Sequence, residues 1–179
     1  MTDSSKAPIV NIDTILEDPD FTDTNPRRGD AFEAQLGFIG AKLGTRQIGI
    51  NLTVVPPRSK AWPRHYHYIN DEMFIVLSGA GTLHYGNQDY PVKAMDVIHI
   101  EAGTGIPFQI ENDSDDNLRY LALSGMQTAD LFHYTDSDKY GIMANGTPLR
   151  TFPSKGLDKF MRVIRADMAA EYWEGELKD

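Results

Sequence analysis

Between residues 46 and 124, apolar side chains fall in short runs of β-branched and aromatic residues, broken at close intervals by Gly, Pro, Asn and Asp. Ile48, Ile50, Leu52 and Val54 alternate with Gly49, Asn51 and Thr53. That is the period of two expected of a half-buried strand, whose successive side chains point to opposite faces. Further runs at 62–68, 72–77, 81–85, 89–92, 97–100, 107–112 and 118–124 bring the expected strands to about eight. Turn-forming residues separate them at 69–71, 78–80, 86–88, 93–96 and 112–117. No helix of useful length fits between 46 and 124, which excludes βαβ units there and predicts an antiparallel sandwich or barrel.

The flanks carry weaker patterns. Residues 1–30 are rich in Asp, Thr, Ser, Pro and Gly around an apolar island at 8–12, and read as an arm able to add an edge strand. The barrel is expected over 31–126 and a C-terminal extension over 127–179. In that extension Phe160, Val163, Ile164 and Met168 fit a short helix or a strand equally well. The tail 171–176 contains Tyr172 and Trp173, which predicts that it packs back on the barrel.

Composition narrows the function. At 179 residues with 41% hydrophobic and 24% charged positions, the chain suits one folded domain. A net charge of −9 argues against nucleic acid and anionic membranes as partners. Cysteine is absent, so any metal ligand must be His, Asp or Glu. A polar start and the lack of any run of membrane-spanning length predict a cytoplasmic protein.

The candidate chemistry lies at His65-Tyr66-His67, with Glu72 following a short turn. Two histidines one residue apart on a strand share a face, with Cα atoms about 6.5 Å apart, and both rings can converge on one ion. Glu72 opens what should be the neighbouring antiparallel strand, from which its carboxylate can close the set. Two imidazoles and a carboxylate form a facial triad that leaves positions open for substrate or water. If that parity holds, Pro63, Phe74, Val76 and Ile110 also face inward and make an apolar pocket.

These residues resemble the first motif of the cupin superfamily, in which two histidines and a glutamate precede a glycine, here Gly79. The second motif is similar to 95–112, with Gly103 and Asn112 retained, and the resemblance covers 46–124. It implies an all-β jelly-roll barrel, a double-stranded β-helix, with irregular extensions at both ends. It further implies a divalent metal (Mn, Fe, Ni or Zn) on His65, His67 and Glu72, a small-molecule substrate, and a homodimer. The flanks are similar to single-domain bacterial cupins labelled sugar-phosphate isomerase-like, which makes metal-dependent isomerisation of a small oxygenated molecule the leading expectation. The alternative is a non-catalytic binding cupin with a degenerate metal site.

The departures concern turns and one ligand. Ser59, Met95 and Glu101 replace the motif residues glycine, glycine and proline. Phe108, four residues before Asn112, stands where a cupin supplies its last histidine, so Phe74, Phe108 and Ile110 are expected to line the pocket. His99 and Glu101, on the strand leading into the second motif, are candidate substitute ligands. Arg64, Tyr66 and Tyr68 should face away from the cavity together with Trp62, as a patch suited to dimer contact. Arg119 and Tyr120 are candidate contacts at the barrel mouth. No residue is assigned a catalytic role from sequence.

Overall fold

The computed structural model describes residues 7–29, 31–145, 159–168, 170 and 174. The tail positions Tyr172 and Trp173 lie outside them. In chain order the described elements are β1 (Thr22–Arg28), β2 (Phe32–Gly37), α1 (Ile39–Leu43), β3 (Ile48–Val55), β4 (Ser59–Lys60) and β5 (His65–His67). Then follow β6 (Glu72–Ser78), β7 (Ala80–Tyr85), β8 (Gln88–Lys93), β9 (Val97–Ile100), β10 (Phe108–Asn112) and β11 (Leu118–Gly125). The last three are β12 (Ala129–Tyr134), β13 (Lys139–Asn145) and β14 (Lys159–Arg165). Single 3-10 turns stand at Ile15–Glu17 and Ala166–Met168.

Hydrogen bonds link the strands in the order β14-β13-β12-β5-β10-β4-β2-β3-β11-β6-β9, with β1 beside β2 and the β7–β8 hairpin attached to β10. All the pairings are antiparallel except β2 with β4. The path folds over so that residues from both halves meet in one interior. Leu36, Val55, Phe74, Val76, Ile98, Phe108, Ile110 and Tyr120 belong to a single buried cluster. This is the expected all-β jelly roll, and its alternating strands place one side-chain set inside and the other out.

A second cluster covers the outer face of β3, β11 and β6, where Leu52, Val54 and Leu121 meet Ile15 and Ile39. Ile15 is completely buried, a gain of about 1.5–3 kcal/mol for a side chain of its size. The N-terminal segment therefore does more than add β1 to the sheet edge: its 3-10 turn plugs an apolar surface. After β13 the chain resolves the ambiguity of 159–165 as a strand, β14, in register with β13 from Lys139↔Arg165 to Asn145↔Lys159.

The motif positions hold turns. Gly79 has φ +83, and a Cβ there would collide with the carbonyl of Asn117, so only glycine fits. Met95, standing where the family motif has glycine, adopts the same left-handed region with φ 76. Asn112 is fully buried; its amide donates to the carbonyls of Val55, Pro56 and Asp116 and its oxygen accepts from Ser114. It ties β10 to the end of β3 and satisfies backbone groups that the turn would otherwise strand.

Candidate metal centre

His65 and His67 lie on β5, which runs between β10 and β12. The register sets Phe108 opposite His65 on one side, and Tyr134 opposite His65 and Phe132 opposite His67 on the other. The imidazoles are thereby walled by rings: Phe108 is 4.8 Å and Tyr134 5.9 Å from His65, and Phe132 is 5.4 Å from His67, centroid to centroid.

Glu72 reaches the same point from elsewhere. Its strand, β6, pairs with β11 and β9 and not with β5, which corrects the expectation of a neighbouring antiparallel strand. Residues 68–71 cross from one half of the roll to the other instead of closing a hairpin. The buried side chain of Asn70 anchors the crossing, donating to Asp130 and accepting from the backbone N–H of Gln127. The carboxylate thus faces the two imidazoles across the interior.

The three side chains meet. One ligand atom from each lies within 4.8 Å of the others, and Glu72 Oε2 is 3.6 Å from His67 Nε2 and 4.0 Å from His65 Nε2. Donors about 2.1 Å from a shared ion stand roughly 3.0–3.4 Å apart, so small side-chain rotations close the shell.

Both free nitrogens are defined by what the other ring nitrogen does. His65 Nδ1 donates to the carbonyl of Pro63 at 2.7 Å, and His67 Nδ1 donates to Asp130 Oδ2 at 2.7 Å. In the neutral ring each acceptor selects the tautomer with its hydrogen on Nδ1, which turns Nε2 toward Glu72 as the nitrogen open to a metal. Burial, helped by the neighbouring His67, lowers the His65 pKa to about 4, so this ring is neutral near pH 7. Burial also disfavours protonation of His67, but the Asp130 hydrogen bond and the Glu72 charge outweigh it and raise the pKa. Burial raises that of Glu72 against the opposing pull of His67.

Glu72 Oε2 is buried without a hydrogen-bond partner. A desolvated carboxylate oxygen is costly to leave bare, and a cation among these three donors is the partner that would satisfy it. The donor set, nitrogen and carboxylate oxygen with no thiolate, suits a borderline divalent metal.

Phe74, Phe108 and Ile110 line the cavity above this cluster, a space of about 290 Å³. Trp62 lines it as well, although strand alternation from the histidines puts it on the outer face; it precedes β5, where the alternation no longer applies. Pro63 is exposed and contributes its carbonyl, not its ring, to the site. Tyr66 and Tyr68 do face outward, with hydroxyls 2.8 Å apart.

His99 and Glu101 are not brought to the cluster. The His99 side chain is 54% exposed and 3.7 Å from Asp71, and Glu101 is exposed. Arg119 pairs with Asp13 outside the cavity, while Tyr120 is buried in the interior cluster. The residue missed from sequence is Asp130, which holds His67 from β12, 63 positions later. An acidic residue in a weakly patterned segment gives no local sign of such a role.

Comparison with known proteins agrees with this architecture. Residues 51–124, from within β3 to within β11, match the model of the cupin domain. Over 71 residues the chain is 35% identical to an uncharacterized protein of Methanocaldococcus jannaschii, a match covering 40% of this chain and about half, 54%, of that relative. A sugar phosphate isomerase of the cupin superfamily from Silicibacter pomeroyi superposes with a TM-score of 0.71 at 20% identity, covering 93% of this chain and 98% of that one. A protein of Acidithiobacillus ferrooxidans, provisionally assigned as a sugar phosphate isomerase, gives 0.65 at 22% identity over 78% and 80% of the two chains. At such identities the likeness is one of fold. The matched stretch encloses both histidines and the glutamate, so residues 51–124 are similar to a cupin domain in sequence and the chain as a whole is similar to cupin structures in fold.

Proposed function

We propose that this protein is a metal-dependent cupin acting on a small oxygenated molecule, with His65, His67 and Glu72 holding a divalent ion. The observation that carries the reading is the bare Glu72 Oε2, buried and facing the Nε2 atoms of His65 and His67. A divalent ion held there supplies Lewis acidity toward a carbonyl or hydroxyl oxygen. The chain's own residues do the rest. Asp130 and the Pro63 carbonyl orient the imidazoles, and the rings of Phe108, Phe132 and Tyr134 exclude water around them. Burial raises the Tyr134 pKa, which keeps its hydroxyl protonated as a donor for a substrate oxygen.

The names of the structural neighbours support isomerisation of a sugar phosphate as the first activity to assay. A second reading, a non-catalytic binding cupin, is favoured by Phe108, whose ring fills the place of a fourth ligand. The test is elemental analysis of protein purified without a histidine tag, repeated on the His65→Ala/His67→Ala double variant. About one equivalent of Mn, Fe, Ni or Zn in the wild type, lost in the variant, is expected. A preparation without stoichiometric metal that takes up none of the four on addition overturns the metal-dependent reading. Turnover of aldoses, ketoses or small carboxylic acids by the loaded protein then separates enzyme from binder.

A further inference from the structure

The cavity wall is unlike a site for a phosphorylated polyol. Away from the metal cluster it is formed by Phe38, Ile50, Leu123 and three methionines, Met126, Met143 and Met161. Methionine walls are apolar and adaptable, and favour contact with rings and alkyl groups. Met161 is 36% exposed, so the apolar surface continues outward to solvent.

Three of the polar side chains in the wall already serve the backbone. The Thr45 hydroxyl donates to the carbonyl of Gly40, that of Ser124 to the carbonyl of Gly125, and the Gln109 amide to the carbonyl of Trp62. A sugar hydroxyl facing Thr45, Ser124 or Gln109 would exchange water for a side chain whose hydrogen already serves the backbone, which costs binding energy for each hydroxyl left unpaired. Among the described lining residues there is no lysine or arginine. Lys139 lies 5.8 Å from the centre of the Tyr134 ring and is not part of the lining. A phosphate dianion desolvated beside Glu72 would thus meet no lysine or arginine among the described lining residues.

Resting on the proposed metal function, we infer that the substrate has metal-chelating oxygens at one end and an unphosphorylated apolar body at the other. The oxygens lie at the His65–His67–Glu72 cluster, and the body lies against Ile50, Leu123 and the methionines. Specificity comes from the apolar wall, and the phosphate-bearing substrates that the neighbours' names suggest are disfavoured.

Calorimetric titration of the nickel-loaded protein with two matched pairs of probes tests this. Benzohydroxamate and acetohydroxamate share a chelating head and differ in the apolar body; fructose 6-phosphate and fructose differ in the phosphate. Benzohydroxamate is expected to bind at least about tenfold more tightly than acetohydroxamate, since each buried methylene-sized group contributes appreciably. Fructose 6-phosphate is expected to bind no more tightly than fructose. Met126→Gln should shrink the hydroxamate ratio by about threefold or more; if that variant does not fold, the wild-type ratios decide alone. Equal affinity for the two hydroxamates, or a tenfold gain from the phosphate, overturns the inference. The same hydroxamate titrations on metal-free protein keep the two readings apart. If no metal is taken up, the proposed function fails, and the metal-free ratio decides the wall: a tenfold preference for benzohydroxamate supports it, and equal or undetectable binding overturns it.

Discussion

His67 and Asp130 stand 63 residues apart in the chain and 2.7 Å apart in the fold, joined by a hydrogen bond from Nδ1 to the carboxylate. Asp130 is in turn held by the Asn70 amide and accepts from the backbone N–H of Ile69. Burial raises its pKa, but the His67 hydrogen bond and charge, the Asn70 amide and the Leu131 backbone N–H outweigh it and lower the pKa, so it stays a carboxylate and pulls on the imidazole proton. Asp130→Asn keeps an acceptor but removes the charge. Metal titration should show affinity reduced by about 10–100-fold, the usual consequence of losing an outer-shell carboxylate, with the circular dichroism spectrum unchanged.

Glu72 should trade stability for binding. Without metal, Glu72→Gln relieves a buried, unpartnered carboxylate and should raise unfolding free energy by about 1–2 kcal/mol. In metal at a hundredfold its dissociation constant, the wild type gains about 2.7 kcal/mol and the variant little, so the order reverses. Urea denaturation with and without metal reads both arms, and a variant less stable in both would sink the assignment of Glu72 as a ligand.

Phe108 pairs with His65 across β10 and β5 and packs 5.6 Å from the ring of Phe74. Phe108→His offers a fourth nitrogen to the cluster and should tighten metal binding by about tenfold or more. It gives up apolar packing, and the metal-free protein should lose about 2 kcal/mol. Competition against a chelator of known affinity measures the first effect, and chemical denaturation the second.

The Met95 backbone sits in the left-handed region and the side chain is 82% exposed, so it contributes strain and almost no packing. Met95→Gly should stabilise the protein by about 1 kcal/mol, visible as a higher denaturation midpoint at unchanged slope.

Ile15→Ala should cost about 2–5 kcal/mol. A loss below about 0.5 kcal/mol would mean that the N-terminal segment is not the plug its burial describes.

β7 and β9 were legible because buried and more exposed positions alternate along them, while β3 and β10, buried on both faces, showed as β-branched and aromatic runs between turn residues. What escaped was stabilised otherwise. The bounds of β1 escaped, though an edge strand from the arm was expected: apart from Pro26 it is polar, and its place comes from backbone pairing with β2, which leaves no trace in side-chain pattern. β12 carries Asp130, Phe132 and Tyr134, but the period of its inward residues is hidden by the half-buried His133, stacked 4.4 Å from Tyr140. At the centre, the spacing of His65 and His67 announced convergence because both lie on one strand. The route of Glu72 was misjudged because a short connection reads alike whether it closes a hairpin or steps across the interior. Asp130 could be found only with the fold in hand.

The lateness of β12 orders events during synthesis. A ribosome delivers both imidazoles and Glu72 well before Asp130, Phe132 and Tyr134, so a nascent chain shows an unbuttressed, water-filled ligand set. On the proposed metal function, capture of an ion would strengthen when β12 docks beside β5 and brings Asp130 to His67.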